Sequence, residues 1–121
     1  MTNRRWLWVG LTVFVAAFTF LQSGRPAPSL GQPEADALGH ILAHFALFGV
    51  LAFSALSSFR PNSKRAALLI ACCVLVFALS DELHQAFVPA RQASLADLVV
   101  DLSGILTALL VYGALNRKPV R

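Results

Sequence analysis

Residues 80–101 read SDELHQAFVPARQASLADLVVD and lie between two runs of almost unbroken apolar sequence. The stretch holds four of the six acidic residues, one of the three histidines and an arginine. Its reading decides the fold. A bilayer core takes about 20 apolar residues per helix, with roughly 17–25 as the range. The uncharged run 66–80 is short unless its helix continues through 81–88 to the stop imposed by Pro89. The run 98–115, interrupted only by Asp101, reaches the length if its helix starts near Ser94. Both helices therefore span only with polar residues on their outer turns, joined by a tight turn at Phe87-Val88-Pro89-Ala90-Arg91.

Outward from there, the rest of the chain agrees. Of its 121 residues, 57% are hydrophobic and 13% charged, where a soluble domain carries about 25% charged residues. Mean hydropathy is +0.67. The formal charge of +4 comes from basic residues in short clusters between apolar runs, with no stripe interleaved with aromatics, which excludes nucleic acid as a partner. Residues 6–24 carry no charge, and 41–59 hold His44 as their single ionisable group. The first run is longer than a signal-peptide core and no A-x-A-like site follows it, so it reads as a helix. The expected fold is all-α: one domain over 1–121, a bundle of four transmembrane helices at about 6–23, 41–59, 66–88 and 94–115. Residues 23–40, with Pro26, Pro28 and Pro33, read as a turn-rich connector containing a short helical turn near Glu34 to Leu38. Cys72 and Cys73 are neighbours within an apolar run; a mutual disulfide is geometrically disfavoured, and they read as small buried residues.

Sidedness follows from the loops. With four spans, Arg4, Arg5, Arg60, Lys64, Arg65, Arg117, Lys118 and Arg121 fall on one side, eight of the ten basic residues. The other side has Arg25 and Arg91 with all six acids: Glu34, Asp36, Asp81, Glu82, Asp97 and Asp101. The positive-inside rule then predicts both termini in the cytoplasm and residues 80–101 outside, in a multi-pass membrane protein. Trp6 and Trp8 suit an interfacial anchor.

Ser94-Leu95-Ala96-Asp97 has the pattern of a capping box, so Ser94 reads first as a helix start. Asp101 lies one turn, about 6 Å, deeper than Asp97. A carboxylate at mid-bilayer costs roughly 2.5–3.5 kcal/mol on insertion scales. Asp97, Asp101, Gly104 and Ala108 share one helix face, and Gly104-x-x-x-Ala108 is a close-packing pattern. The acidic face therefore points into the bundle, where it needs a partner. On the preceding helix Asp81, His84 and Gln85 stand at i, i+3 and i+4 and form one polar cluster, while Glu82 lies around the helix towards solvent or headgroups. Arg91 is the natural neutralising partner for one or two of the acids. His44 falls in the same leaflet; His40, one turn before it, reads as an interfacial histidine that satisfies a hydrogen bond. The candidate pocket is thus His44, Asp81, Glu82, His84, Gln85, Arg91, Ser94, Asp97 and Asp101. No cofactor is predicted: two histidines and several carboxylates have the chemistry to hold a divalent metal or to shuttle protons, but no compact metal motif is present. The same groups equally read as an ion-pair network locking the helices together.

His44-Phe45 with Phe48-Gly49 and Leu51, then Asp81-Glu82-Leu83-His84-Gln85, Phe87-Val88-Pro89, Arg91, Ser94, Asp97 and Gly104, resemble the VanZ-like family over about residues 40–113. That family comprises small bacterial multi-helix membrane proteins, named after one linked to resistance to the glycopeptide teicoplanin. Two positions depart from its pattern. Members often carry D-K-x-x-H before the helix-two histidine, where this chain has His40 and Ile41, and many have asparagine near Asp101.

The leading expectation is a pocket, open to the outside, that recognises a cell-envelope component: a lipid-linked precursor, a headgroup or a glycopeptide. Beside it stand an enzyme acting on a lipid or cell-wall intermediate, with His84 and a carboxylate as acid–base pair and Ser80 one turn away, and a structural packing subunit. The lipid bilayer is the common partner in all three.

Overall fold

The computed structural model describes residues 2–26 and 29–116. Four helices, α1 (Thr2–Ser23), α2 (Pro33–Phe59), α3 (Lys64–Ala86) and α4 (Leu95–Leu115), account for nearly all of them, with no strand among the described residues. All four are long and apolar enough to cross a membrane. The basic tail at 117–121 that entered the sidedness argument lies outside the described residues.

Large apolar side chains face outward on every helix: Leu7 is 72% exposed, Leu42 57%, Leu69 67% and Leu110 76%. In water such a surface would be an aggregation liability; in lipid it is the expected coat. The interior is correspondingly lean, with Ala52, Ala55, Ala71, Ala78 and Ala108 packed around Phe48, Leu51 and Ile105. Small residues let backbones approach closely where no hydrophobic effect drives helices together. Hydroxyls add to this: Thr12 Oγ1 of α1 lies 3.1 Å from Ser54 Oγ and 3.2 Å from Ser58 Oγ of α2.

α2 and α3 each touch all three other helices, α2 the more extensively, while α1 and α4 do not meet. α2 runs in the same direction as α4, since α3 returns the chain between them. The two cross at Gly49 and Gly104, as the small-residue face of α4 predicts. Cys72 and Cys73 are free but exposed rather than buried, because they sit on the outer face of α3, where apolar side chains meet lipid instead of neighbours.

The connector before α2 is shorter than the sequence suggests. α2 starts at Pro33, and the expected turn near Glu34 to Leu38 is its first turn. Proline at the first helical position is pre-organised and loses no hydrogen bond there, and Glu34 and Asp36 favour the positive end of the helix dipole. Asp36 also ties the loop down, accepting from Ser29 Oγ at 2.6 Å and from the Leu30 N–H at 2.7 Å. Twenty-seven residues make a helix about 40 Å long, longer than a hydrocarbon core of about 30 Å requires, and its first turns, with Glu34 and Asp36, are the polar ones. They carry His40 towards the acids of α4.

Candidate functional site

The polar residues converge at the end of the bundle built by the last turn of α1, the first half of α2, the last turns of α3 and the start of α4. α2 and α4 contribute a two-rung ladder. His40 Nε2 lies 2.9 Å from Asp97 Oδ2, and His44 Nδ1 lies 2.8 Å from Asp101 Oδ1. Each rung joins residues 57 apart, because both pairs are spaced i, i+4 on parallel helices in register. The two imidazole centroids are 4.5 Å apart. The hydrogen bond expected of His40 is thus made to Asp97, which joins it to the ladder. The inward turn expected of Asp101 is met in full: it is 0% exposed.

α3 behaves differently from its sequence reading in two places. Glu82 is buried rather than facing solvent, and its Oε2 accepts from the Ser94 N–H at 2.9 Å. In a capping box the acid three residues on makes that contact; here a neighbouring helix supplies it, while Ser94 Oγ accepts from the Asp97 N–H at 3.3 Å. Ser94 is therefore a cap that also docks α4 onto α3. His84 leaves the expected Asp81–His84–Gln85 cluster. It faces α1, with Nδ1 3.0 Å from Ser23 Oγ and its ring stacked on Phe20 at 4.5 Å. Ser80 donates to the Phe77 carbonyl, and among the described residues no Ser80–His84 pair forms and His84 has no carboxylate partner.

Arg91 is also re-aimed. Among the described residues it forms no ion pair with a carboxylate. Its Nε donates to the Arg25 carbonyl at 2.8 Å, Nη2 to the Gln22 carbonyl at 3.4 Å, and Nη1 to Gln85 Oε1 at 3.2 Å. It caps the C-terminal end of α1, where orphan carbonyls and the negative end of the dipole attract a cation. Gln85 Nε2 in turn donates to Asp81 Oδ2 at 3.1 Å, so one amide bridges acid and guanidinium that direct pairing was expected to join. The turn that aims Arg91 is closed by Arg91 N–H to the Val88 carbonyl at 3.1 Å. It places Pro89 at a favoured position and Ala90 at φ 63°, a left-handed conformation that costs a non-glycine residue about 1–2 kcal/mol.

Beside these groups lies a cavity of about 650 Å³, with His40, His44, Asp81, Gln85 and Arg91 on its polar wall and Phe18, Leu47 and Phe48 on its apolar one. Thr19, Gln22, Ser23 and Asp36 also reach it. Glu82, His84, Ser94, Asp97 and Asp101 do not line it; they stand behind the wall or, for His84, beside it. The sequence signal for His40 was the matched i, i+4 spacing of His40/His44 and Asp97/Asp101; nothing in the pattern marked the α1 residues. The family described as VanZ/LLP1 matches the chain over residues 7–116. No curated protein and no solved structure matches it.

Proposed function

The chain belongs to the VanZ/LLP1 family, and on that premise we propose that it is a bacterial inner-membrane protein whose outward-facing pocket recognises an anionic, lipid-linked component of the cell envelope. One observation carries this reading. The cavity is apolar along Phe18, Leu47 and Phe48, and Arg91 lines it together with Asp36 and Asp81. A guanidinium has five N–H donors; three of those of Arg91 are held by Gln22, Gln85 and Arg25, with no carboxylate among the partners. Two donors remain for a phosphate or carboxylate, on a cation that among the described residues has no carboxylate in ion-pair contact, with apolar walls for the attached chain. Recognition of such a component is the route by which the protein would contribute to glycopeptide resistance of the teicoplanin type.

Support for the sidedness is electrostatic. Arg4, Arg5, Arg60, Lys64 and Arg65 stand at the end of the bundle opposite to all six acids, and the positive-inside rule assigns the basic end to the cytoplasm. Both termini would then be cytoplasmic.

The test is phenotypic. Arg91→Ala and Asp97→Asn, the latter releasing His40 from its place in the wall, are expressed at wild-type membrane levels in a teicoplanin-sensitive bacterium. Resistance should fall to the empty-vector level in both. Wild-type resistance in two well-folded variants would overturn the reading. A second reading, an enzyme acting on the same class of molecule, is favoured by the buried His44–Asp101 pair, a general-base geometry next to the cavity wall. Turnover of lipid-linked substrates by the purified protein separates the two.

A further inference from the structure

Three carboxylate oxygens at this end of the bundle are buried without a hydrogen-bond partner: Asp81 Oδ1, Glu82 Oε1 and Asp101 Oδ2. Their residues are 2%, 6% and 0% exposed. Among the described residues no lysine or arginine pairs with them; histidine is the one cationic side chain in contact with any. A buried carboxylate in that position must take up a proton, find a cationic partner or coordinate a metal. The donor set is already assembled for the last of these. One ligand atom each from His44, Glu82 and Asp101 lies within 4.8 Å of the other two, and all three residues are buried.

We propose that His44, Glu82 and Asp101 form a binding site for one divalent transition-metal ion, of the Zn²⁺ or Mn²⁺ class. One imidazole nitrogen and two carboxylate oxygens suit such an ion, whereas Ca²⁺ and Mg²⁺ favour all-oxygen shells. Two of the three residues hold orphan oxygens, so the ion satisfies groups that the fold leaves bare. Ligands about 2.0–2.2 Å from zinc in a tetrahedron are roughly 3.3–3.6 Å apart; the three atoms lie within 4.8 Å of one another, so the side chains would draw together, and His44 Nδ1 would exchange its 2.8 Å hydrogen bond to Asp101 Oδ1 for the ion. The overlapping group His40, His44 and Asp97 is also compact, but it contains no orphan oxygen and is more open. It braces the site instead, through the His40–Asp97 bond. Because His44 lines the cavity, the ion would sit in the wall against which the envelope ligand is held. The site stands on these three side chains and does not depend on which molecule fills the cavity.

The experiment uses full-length protein purified in detergent through a histidine-free tag, stripped with chelator, and titrated calorimetrically with Zn²⁺ or Mn²⁺ alone. Bound metal is counted by mass spectrometry. One ion per chain is expected, in the wild type and equally with Cys72→Ala and Cys73→Ala, and with affinity reduced about tenfold or more, or 1.4 kcal/mol upwards, in Glu82→Gln and in Asp101→Asn. Binding of neither ion by the wild type at millimolar concentration overturns the proposal, as does undiminished binding by both carboxamide variants. If those variants fail to fold, X-ray absorption at the metal edge of the loaded wild type decides: a shell of one imidazole with carboxylate oxygens supports the site, and a shell lacking imidazole or containing sulfur sinks it. No envelope ligand is present in any arm, so a negative result leaves the pocket reading to its own resistance assay.

Discussion

Gly104 has no room for a side chain. A Cβ there would run into the carbonyl oxygen of Phe45 and stand 3.0 Å from the Gly49 nitrogen. Both obstacles are backbone, so neither can swing aside as a side chain would. Overpacking of this kind costs about 1–3 kcal/mol, and Gly104→Ala should lower the stability of the detergent-solubilised protein by that amount in a denaturant titration. Gly113, where an added Cβ meets nothing, should accept alanine without loss. At this scale the sequence was informative where a face had one destination. Asp101 shares its face with Gly104 and Ala108, so it had to enter the bundle. His84 and Arg91 were misdirected because each had two neighbours of suitable chemistry, and Glu82 because its burial depends on the start of α4 docking against α3. Arg91 went to the carbonyls of Gln22 and Arg25, which are backbone groups that every residue possesses and no sequence pattern advertises.

Among the elements, α4 shows how one residue can serve two helices. Ser94 caps α4 with its hydroxyl and offers its own N–H to Glu82 of α3. Losing a serine cap costs about 0.5–2 kcal/mol, and Ser94→Ala should destabilise the protein accordingly while Ser94→Asn, an equally good cap, restores it. Thermal unfolding of the two variants side by side checks this. Failure of asparagine to rescue would mean that the hydroxyl does more than begin the helix. α2 was underestimated by the sequence because hydropathy reads Glu34, Asp36 and His40 as loop, whereas proline at its start and acids in its first turn are what a helix N-terminus favours. The extra turns are what bring His40 to Asp97. The His–Asp ladder follows from two i, i+4 pairs on parallel helices, a regularity visible in the sequence once those helices are known to be adjacent.

On the scale of the whole molecule, charge is sorted to the two ends and apolar bulk to the sides. If the acid-rich end faces outward, Gln92→Cys should be modified in intact cells by a membrane-impermeant maleimide, in a background with Cys72→Ala and Cys73→Ala. Asn62→Cys should react only after the membrane is opened. Both positions are exposed. The reverse pattern would invert the molecule and remove its site from the cell exterior. The number of helices, their apolar outer surface and the inward face of α4 were determined by the sequence alone, since the length of apolar runs and the 3.6-residue repeat are local properties. Which groups meet across the bundle was decided by tertiary structure. The register between α2 and α4 is set at the Gly49–Gly104 crossing, and the burial of Glu82 and the capture of Arg91 by α1 depend on three helices docking together. A linear pattern encodes each face, but the pairing of faces is fixed only when backbones come into contact.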